Sequence, residues 1–547
     1  MTEPDRQHPQ LPRLETIFQD LRYGLRTLRR SPGFAALAVI TLGLGIGANT
    51  AMFSVIDRVL FDKLPYSEPA RVLYVAQKQP NGALNVFSVP DFLEWRRQSD
   101  LLVHMAALRP ASFTLGVGDQ PEQVPGARFS YDMFYVLGVK PALGRAFTAE
   151  EDQPGAAKFI LLSDALWRNR FSADPKIVGS TVDIDGAPHQ VIGVMPPGFY
   201  ILGNNEQAWE PMQLQTADTA ASSRTIHSIW ALARLDPGKS VAQEQTQLDT
   251  IAARLHREDA SGDAGYGVVI QGYQDALTAG IKPALWLLMG CVGFVLLIAC
   301  SNVANLLLAR ATGRKMEISV RTAIGAQRSR IVRQLLTESL LLAAMGGLLG
   351  LGLASSGLKL LVALHPSSVP QVETIALSGV ALLFTAAICL CVAVLFGIAP
   401  ALVASRVDVS NALRETARGP SRSMGKHRVA LVIAETALAS ILLIGAGLSL
   451  KSLWRVSQVD PGFNPSNLLV FRVSRPASAV AQPMAFYKQV ADKVGSLPGV
   501  KEAALARDVP MAGVDPSMPV AADGNAPQVT DGQIVTRLRF IGPGYFH

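Results

Sequence analysis

The sequence predicts an α-helical integral membrane protein, with about five transmembrane helices and α+β extracytoplasmic domains. Of its 547 residues, 49% are hydrophobic and only 17% are charged, and the mean hydropathy is +0.26. A soluble chain has about 25% charged residues. Long uncharged runs alternate with polar segments that carry strand and helix patterns. The composition also excludes intrinsic disorder, because a disordered chain combines low hydrophobicity with high charge.

Five apolar runs have the length of about 20 residues that a spanning helix needs. Four are uncharged and the last contains one acid; the runs are 34–56, 284–309, 339–358, 374–405 and 429–450. The first run exceeds the apolar part of a signal peptide, about 7–15 residues, so we predict an uncleaved first span. All the cysteines fall in these runs, so no disulfide framework is implied for the polar segments; they are Cys291, Cys300, Cys389 and Cys391.

Basic residues cluster before the first run, between the second and third, and between the fourth and fifth. The positive-inside rule places these three segments, and with them the N-terminus, in the cytoplasm. Five crossings then place 61–283, 359–373 and 451–547 outside, with Lys451 and Arg455 in minor conflict with the rule. Because the charge flanks the apolar runs, the net charge of +7 indicates membrane topology and lipid contact, and no nucleic-acid partner is predicted.

The polar segments have the pattern of folded α+β domains. In the first segment, strands are predicted at 71–77, 101–108, 159–163, 180–185 and 189–195, and helices at 90–99 and 243–256. The C-terminal segment repeats this order, with a strand at 467–473, a helix at 484–497 and a strand at 500–506. The chain therefore reads as one span–domain unit occurring twice, and internal repeats are common in transporters. The second copy ends early, which predicts a fragment or a product truncated inside its second extracytoplasmic domain.

Three stretches carry a family pattern. They are LRYGLRTLRRSPGFAALAVITLGLGIGANTAMFSVIDRVL (21–60), SNVANLLLARATGRKMEISVRTAIGAQRSRIVRQLLTESLLLA (301–343) and LVIAETALASILLIGAGLSLKSLWRVSQVDPGF (431–463). Together they resemble the MacB/FtsX-type ABC transporter permeases, most closely the large permeases in which the permease unit is duplicated. The middle stretch is the most specific of the three, and the outer domains match the family only in layout.

The resemblance implies four spans per unit, with a large outer domain after the first span. It also implies a location in the bacterial inner membrane and a separate cytoplasmic ABC ATPase that hydrolyses the ATP. In the best-known members the outer domain transmits motion to periplasmic partner proteins, and substrate is usually not carried between the spans. The organisation expected from sequence and resemblance is a cytoplasmic amphipathic N-terminus (1–33), a first transmembrane helix (34–60), an extracytoplasmic MacB-like core domain (61–283), a three-helix FtsX-like permease domain (284–405), a cytoplasmic linker (406–428), a fifth transmembrane helix (429–450) and a partial second extracytoplasmic domain (451–547).

The segment 310–338, between the second and third spans, is the candidate coupling segment. Its core EISVRTAIGA (317–326) interleaves apolar and charged residues, which predicts an amphipathic helix at the inner membrane surface. The resemblance favours a helix that docks on the ATPase. Charge alone leaves a basic interfacial anchor without a partner as the alternative. The residues expected to couple are Arg314, Glu317, Arg321 and Gly325.

Polar residues inside the predicted spans are the other candidates. Asn302 and Asn305 are predicted to form bonds between helices, each worth about 0.6 kcal/mol. Glu435 has no second intramembrane acid or base for a proton relay, so a structural role is favoured. Before the first span, a helical spacing of apolar residues predicts an interfacial helix; these residues are Ile17, Leu21, Leu25 and Leu28.

No catalytic, cofactor-binding or metal site is predicted, so the chain is not expected to be an enzyme. LDPGKS (235–240) resembles the end of a phosphate loop, but that loop requires glycine where Ala233 stands. The histidines are scattered, with no pair at the i, i+4 spacing that suits a metal.

The leading hypothesis is a permease subunit that couples a separate ATPase to conformational change of the extracytoplasmic domains, for export or mechanotransmission. The alternative is a membrane-anchored sensor or scaffold that binds a ligand without transport. A secondary transporter would need several intramembrane ionisable residues, and only Glu435 is available. The substrate stays open among lipids, lipoproteins, peptides and hydrophobic drugs.

Overall fold

A computed structural model describes residues 13–62, 64–79, 82–98, 104–116, 122–201, 206–220, 223–224, 226–258, 267–313, 328–364, 375–405, 422–460, 462–464, 466–471, 473, 483–507, 517–520, 534–537 and 539–546. The chain divides into two compact units. Unit 1 contains Met1–Asp62 and Ala279–Phe463, and unit 2 contains Lys63–Thr278 and Asn464–His547.

The α-helices follow the apolar and amphipathic patterns of the sequence. In chain order they are α1 (Arg13–Arg29), α2 (Pro32–Ile56), α3 (Val89–Gln98), α4 (Met133–Leu137), α5 (Asp164–Phe171), α6 (Thr216–Thr219), α7 (Val241–Glu258), α8 (Tyr273–Thr278), α9 (Lys282–Gly313), α10 (Arg328–Leu364), α11 (Gly379–Ser405), α12 (Arg422–Ser457) and α13 (Pro483–Gly495). A proline in the first turn of α2 fits its start, since that position needs no backbone donor.

Unit 1 contains the helices that are long and apolar enough to cross a membrane. Among the described residues there are four of these, over Pro32–Phe61, Lys282–Leu307, Val332–Leu364 and Val432–Ser457. Helix α11 is apolar over the shorter stretch Gly379–Leu395. The five helices lie at the five apolar runs of the sequence.

Unit 2 is built on strands with β-branched and aromatic residues. They are β1 (Val72–Lys78), β2 (Leu84–Asn85), β3 (Phe87–Ser88), β4 (Ala106–Leu115), β5 (Glu122–Phe129), β6 (Leu143–Gly144), β7 (Phe159–Leu162), β8 (Thr181–Ile184), β9 (Ala187–Val194), β10 (Ala208–Pro211), β11 (His227–Arg234), β12 (Gly267–Gly272), β13 (Ser517–Val520) and β14 (Ile534–Arg537). The first twelve form one sheet, with the order β12-β1-β11-β4-β5-β10-β7-β9-β6 along its main path.

The sheet is covered on both faces, because alternate residues of its strands enter different cores. Val72 of β1 packs into one cluster with Trp209, whereas its neighbour Leu73 packs into another cluster with Trp95 of α3 and Leu248 of α7. Burial on both faces explains why β1 reads as a nearly continuous apolar run.

Three predicted strands differ from the structure. The strand predicted at 101–108 begins only at Ala106 and runs to Leu115, because its pairing with β11 starts there. Residues 468–471 form no strand and are exposed, and in 500–506 only Ala506 forms an isolated bridge. The last two predictions were wrong because a strand needs a partner. The sequence of 467–473 resembles β1, whose partners β11 and β12 come from residues 227–272 of the first domain.

Candidate functional site

Helix α2 packs closely through its glycines: Gly43 and Gly47 lie against α10, and Gly45 lies against α9. A methyl group built on Gly47 would lie 2.9 Å from the carbonyl oxygen of Gly350. One built on Gly346 would lie 2.8 Å from Cβ of Leu42. Both distances are shorter than real side chains allow. The glycines of the first span therefore let two backbones approach closely, as small residues do in membrane helices.

Polar side chains of α2 tie it to two further helices. Nδ2 of the buried Asn49 donates to the carbonyl oxygens of Gly45, at 2.9 Å, and of Val292 in α9, at 2.8 Å. The hydroxyl groups of Thr50 and Thr385 in α11 lie 2.9 Å apart. Such bonds satisfy polar groups that would otherwise be unpaired in a lipid environment. Sequence reasoning passed over Asn49, although a lone asparagine among glycines in a span is a visible signal.

The C-terminal end of α2 continues into a π-helical turn, Asp57–Phe61. The hydroxyl of Ser378 donates to Oδ2 of Asp57 at 2.8 Å and accepts from the amide of Ala381 at 3.0 Å, so it caps α11. Single π-turns inside longer helices are frequently found at functional sites. The start of α11 is thus fastened to the turn that leads from α2 toward unit 2.

At the other end of the bundle, Arg310 fastens the end of α9 to the junction of α1 and α2. Its Nη2 lies 3.2 Å from the carbonyl oxygen of Thr27 and 2.5 Å from the hydroxyl of Ser31. Its guanidinium carbon lies 4.7 Å from the centroid of the Phe34 ring. The arginine therefore satisfies a carbonyl at the C-terminus of α1 and adds a cation–π contact.

Helix α1 also lies against the N-terminal half of α10. A methyl group built on Gly24 would lie 2.8 Å from Cδ1 of Leu341 and 3.8 Å from Cγ of the buried Glu338. The predicted interfacial helix is thus part of the bundle as well. Through Arg310 and Glu338 it contacts the first and last residues of the candidate coupling segment.

The coupling residues themselves lie outside the described residues. Helix α9 ends at Gly313 and α10 begins at Arg328, so the structure places the flanks of the segment but says nothing of its centre. The predicted roles stay predictions for Arg314, Glu317, Arg321 and Gly325.

The predicted bonds of Asn302 and Asn305 are not found among the described residues. Asn302 is exposed, and Oδ1 of Asn305 is buried without a partner in the described part of the chain. The reason is helical phase: α9 meets α2 through Val292 and Leu296, and Asn302 does not continue that spacing. Glu435 lies partly exposed in α12, and the described residues provide no partner for it.

In unit 2, two tyrosines join the segments where the chain enters and leaves the sheet domain. The rings of Tyr66 and Tyr273 are stacked with centroids 6.2 Å apart. The hydroxyl of Tyr66 donates to the carbonyl oxygen of Tyr200 at 2.6 Å, and that of Tyr273 donates to Ile201. Burial raises the pKa of both hydroxyls, so both remain protonated donors at neutral pH. Entry and exit segments therefore share one buried anchor.

An ionic row crosses strands β9, β10 and β5, and two of its members, His189 and Glu210, are buried. Nε2 of His189 in β9 lies 2.9 Å from Oε1 of Glu210 in β10, and Nε of Arg128 in β5 lies 2.8 Å from Oε2. Burial by itself would raise the pKa of Glu210, but the hydrogen bond from His189 and the charge of Arg128 hold it below its ordinary value. The row stabilises the sheet and is not a binding site, since its members are paired with one another across strands of the sheet. Sequence reasoning missed it because the three residues are distant in the chain.

A bundle whose first span is followed by an inserted sheet domain, with polar fastenings at both ends of the spans, has the layout of a membrane permease. Two family models match the chain: the MacB-like periplasmic core domain over residues 35–251 and the FtsX-like permease C-terminal over residues 289–409. Together they cover more than half of the sequence. The chain belongs to the MacB/FtsX-type ABC transporter permeases.

Relatives in other bacteria share only part of their length with this chain. The macrolide export ATP-binding/permease protein MacB of Psychrobacter cryohalolentis is 25% identical over 390 residues, covering 69% of this chain and 55% of the relative. The pyoverdine export ATP-binding/permease protein PvdT of Pseudomonas syringae pv. tomato is 28% identical over 283 residues, covering 50% and 40%. The chain thus spans about half the length of the curated relatives it matches. The solved periplasmic region of MacB from Actinobacillus actinomycetemcomitans aligns with 39% of this chain and 94% of its own, at 15% identity and a TM-score of 0.28.

Proposed function

We propose that this chain is the transmembrane subunit of an ABC transporter, and that it couples ATP hydrolysis in a separate ATPase to movement of its extracytoplasmic domains. The observation that carries the proposal is the joint match to a periplasmic core domain and a permease domain, in the order that the spans require. In this proposal the N-terminus and the coupling segment lie in the cytoplasm, because both segments are rich in basic residues and such segments stay on the cytoplasmic side.

The geometry supports a route for the stroke. In this proposal, a movement of the coupling segment, caused by the ATPase, is passed to Arg310 at the end of α9. Arg310 is hydrogen-bonded to the junction of α1 and α2. Helix α2 is fastened to α9 by Asn49 and to α11 by Thr50, so a shift at its inner end is shared by the helices around it. The chain leaves α2 and returns into α9 through the two segments that Tyr66 and Tyr273 hold together in unit 2.

The ATP is hydrolysed by the partner in this proposal, and the chain itself needs no cofactor. Both export and mechanotransmission are compatible with ATP hydrolysis by the partner and conformational change in this chain. The named relatives export a macrolide and pyoverdine, and we propose an export-type role for this chain without naming its substrate.

Association with the ATPase is tested by purifying the chain with its bound proteins and measuring ATP turnover of the reconstituted pair. Arg321→Glu should leave membrane insertion intact, because the residue lies outside the apolar runs, and should weaken ATPase association. A lost charged contact costs about 2–5 kcal/mol when it is buried in an interface. Reversal of Glu150, an exposed acid of unit 2, is the matched control and should leave association unchanged.

Wild-type association and stimulated turnover in the Arg321→Glu variant would contradict the coupling role and favour the sensor or scaffold. Topology is checked separately by cysteine labelling at Ser180 and Ser410. We expect outside and inside accessibility, respectively, and equal accessibility from one side would contradict the proposed orientation.

A further inference from the structure

Helix α1 presents a stripe of arginines on the face opposite to its contact with the bundle. Gly24, Thr27 and Leu28 are buried in that contact. Arg22, Arg26 and Arg29 follow one another at spacings of four and three residues, and all are exposed. This spacing places their side chains in one row along the helix. Among the described residues, none of the three forms an ion pair.

Apolar side chains flank the arginine stripe. Leu21 is 44% exposed and Leu25 is 41% exposed, and at a spacing of four residues they share a strip of the helix beside the arginines. An acidic protein surface or a nucleic acid would match the charge but leave the leucines in water. A lipid interface matches both, since the leucines reach the acyl region while the guanidinium groups stay among the headgroups.

The position of α1 fixes which part of a membrane it meets. Helix α1 ends at Arg29 and the apolar helix α2 begins at Pro32, so the stripe lies at the end of a membrane span. Gly24 and Arg310 hold the helix against α10 and α9. The stripe is therefore held at the membrane surface by the fold, and is not a freely moving basic tail.

We propose that the stripe of Arg22, Arg26 and Arg29 is a binding site for the phosphate headgroups of anionic phospholipids. Bound lipid holds α1 in its contact with the bundle, and so stabilises the fastening at Arg310 next to the coupling segment. This inference goes beyond the proposed function, and it requires only that α1 lies at a membrane surface. Basic residues near an anionic membrane surface add to one another's attraction for it, so three arginines in one row bind more strongly than one.

The test uses the full chain in a neutral detergent, titrated with phosphatidylglycerol or with zwitterionic phosphatidylcholine. Lipid binding is counted by native mass spectrometry, and thermal unfolding is followed in the same samples. We expect phosphatidylglycerol to bind and to raise the Tm of the wild type more than phosphatidylcholine does. The triple variant R22Q/R26Q/R29Q should lose at least about tenfold in apparent affinity for phosphatidylglycerol, together with the extra rise in Tm.

Two further variants separate the causes. R22K/R26K/R29K keeps the charge and should keep most of the effect, whereas R97Q/R168Q/R170Q removes the same charge from the exposed surface of unit 2 and should bind lipid as the wild type does. Equal binding of both lipids by the wild type, or undiminished phosphatidylglycerol binding by the glutamine variant, would overturn the proposal. Undiminished lipid binding combined with lost ATPase association would assign the stripe to a protein partner instead.

Discussion

The two stretches that the sequence predicts to be copies of one unit have different surroundings. About half of the apolar core of α2 is buried in protein, and none of that of α12. In α2, Gly47 meets the backbone of α10, whereas Gly445 and Gly447 of α12 have open space around them. Helix α12 packs chiefly against α9. The comparison shows that a glycine in a span signals close packing only where a partner helix lies against that glycine.

The domains that follow the two spans differ in the same way. Leu73 is the third residue of the segment RVLYVAQ and is fully buried in β1, between strands β11 and β12. Leu469 is the third residue of the corresponding segment NLLVFRV and is 81% exposed. The same kind of local pattern therefore gives a central strand in one copy and, in the other, a segment that pairs with no strand among the described residues, because strand formation depends on residues far away in the chain.

The largest difference between the copies is expected for these two leucines. Leu73→Ala should lower the free energy of unfolding of the first sheet domain by about 2–5 kcal/mol, because it leaves a cavity in a packed core. Leu469→Ala, the matched control, should change it by less than about 0.5 kcal/mol. Denaturant unfolding of the purified chain, followed by tryptophan fluorescence, measures both. A large loss in Leu469→Ala would mean that the segment is packed in solution.

The next difference concerns the glycines of the spans. Gly47→Leu forces a side chain against the backbone of Gly350 and should destabilise the bundle by about 1–3 kcal/mol, as overpacking does. Gly445→Leu in α12 places the new side chain in open space and should be tolerated. The Tm of each variant in detergent, together with the amount of folded protein in the membrane, provides the measurement. Equal effects in the two spans would show that α12 has a partner as close as that of α2.

Acid should distinguish the ionic row of the first domain from an exposed acid of the second. The pKa of Glu210 is lower in the folded protein than in the unfolded chain. Its stabilisation is therefore present at neutral pH, begins to decline near the unfolded value of about 4.5, and is lost as the pH falls through the folded pKa. Burial raises the pKa of Asp152, which acts in the opposite direction, so the wild-type profile alone does not isolate Glu210.

The Glu210→Gln variant isolates the contribution of that carboxylate. It should be less stable than the wild type at neutral pH, and the difference should shrink as the pH falls below about 4.5. Glu502→Gln, at an exposed position of the second copy, should follow the wild type throughout. Unfolding midpoints measured across this range test both, and a constant difference for Glu210→Gln would contradict the assigned cause.

The sequence predicts most of the helices and the strands of the first domain because their patterns are local. Runs of apolar residues locate α2, α9, α10, α11 and α12, and short stretches rich in strand-forming residues locate β1, β7, β8 and β9. Contacts between distant segments are not encoded in any local pattern. The row from His189 to Arg128, the stack of Tyr66 on Tyr273 and the fastening by Arg310 all join residues from separate elements, so only the fold reveals them. The family pattern identifies the coupling segment, but the roles of its residues stay predictions.

The smallest expected difference concerns single polar residues inside the spans. Asn49→Leu removes two hydrogen bonds to backbone carbonyls, one within α2 and one to α9, while it keeps the apolar character of the helix. Bonds between membrane helices contribute about 0.6 kcal/mol on average and at most about 1.7, so the bundle should lose stability within that range.

Glu435→Leu in α12 removes a polar group that the described residues do not pair, and it should be neutral or stabilising. The measurement is the Tm of the full chain in detergent, with Asn305→Leu as a second control. Because Oδ1 of Asn305 is buried without a partner among the described residues, its replacement should also be neutral or stabilising. If Asn49→Leu were as well tolerated as these two, the bond to Val292 would not hold α2 to α9, and the glycine contacts with α10 would have to account for the position of the first span.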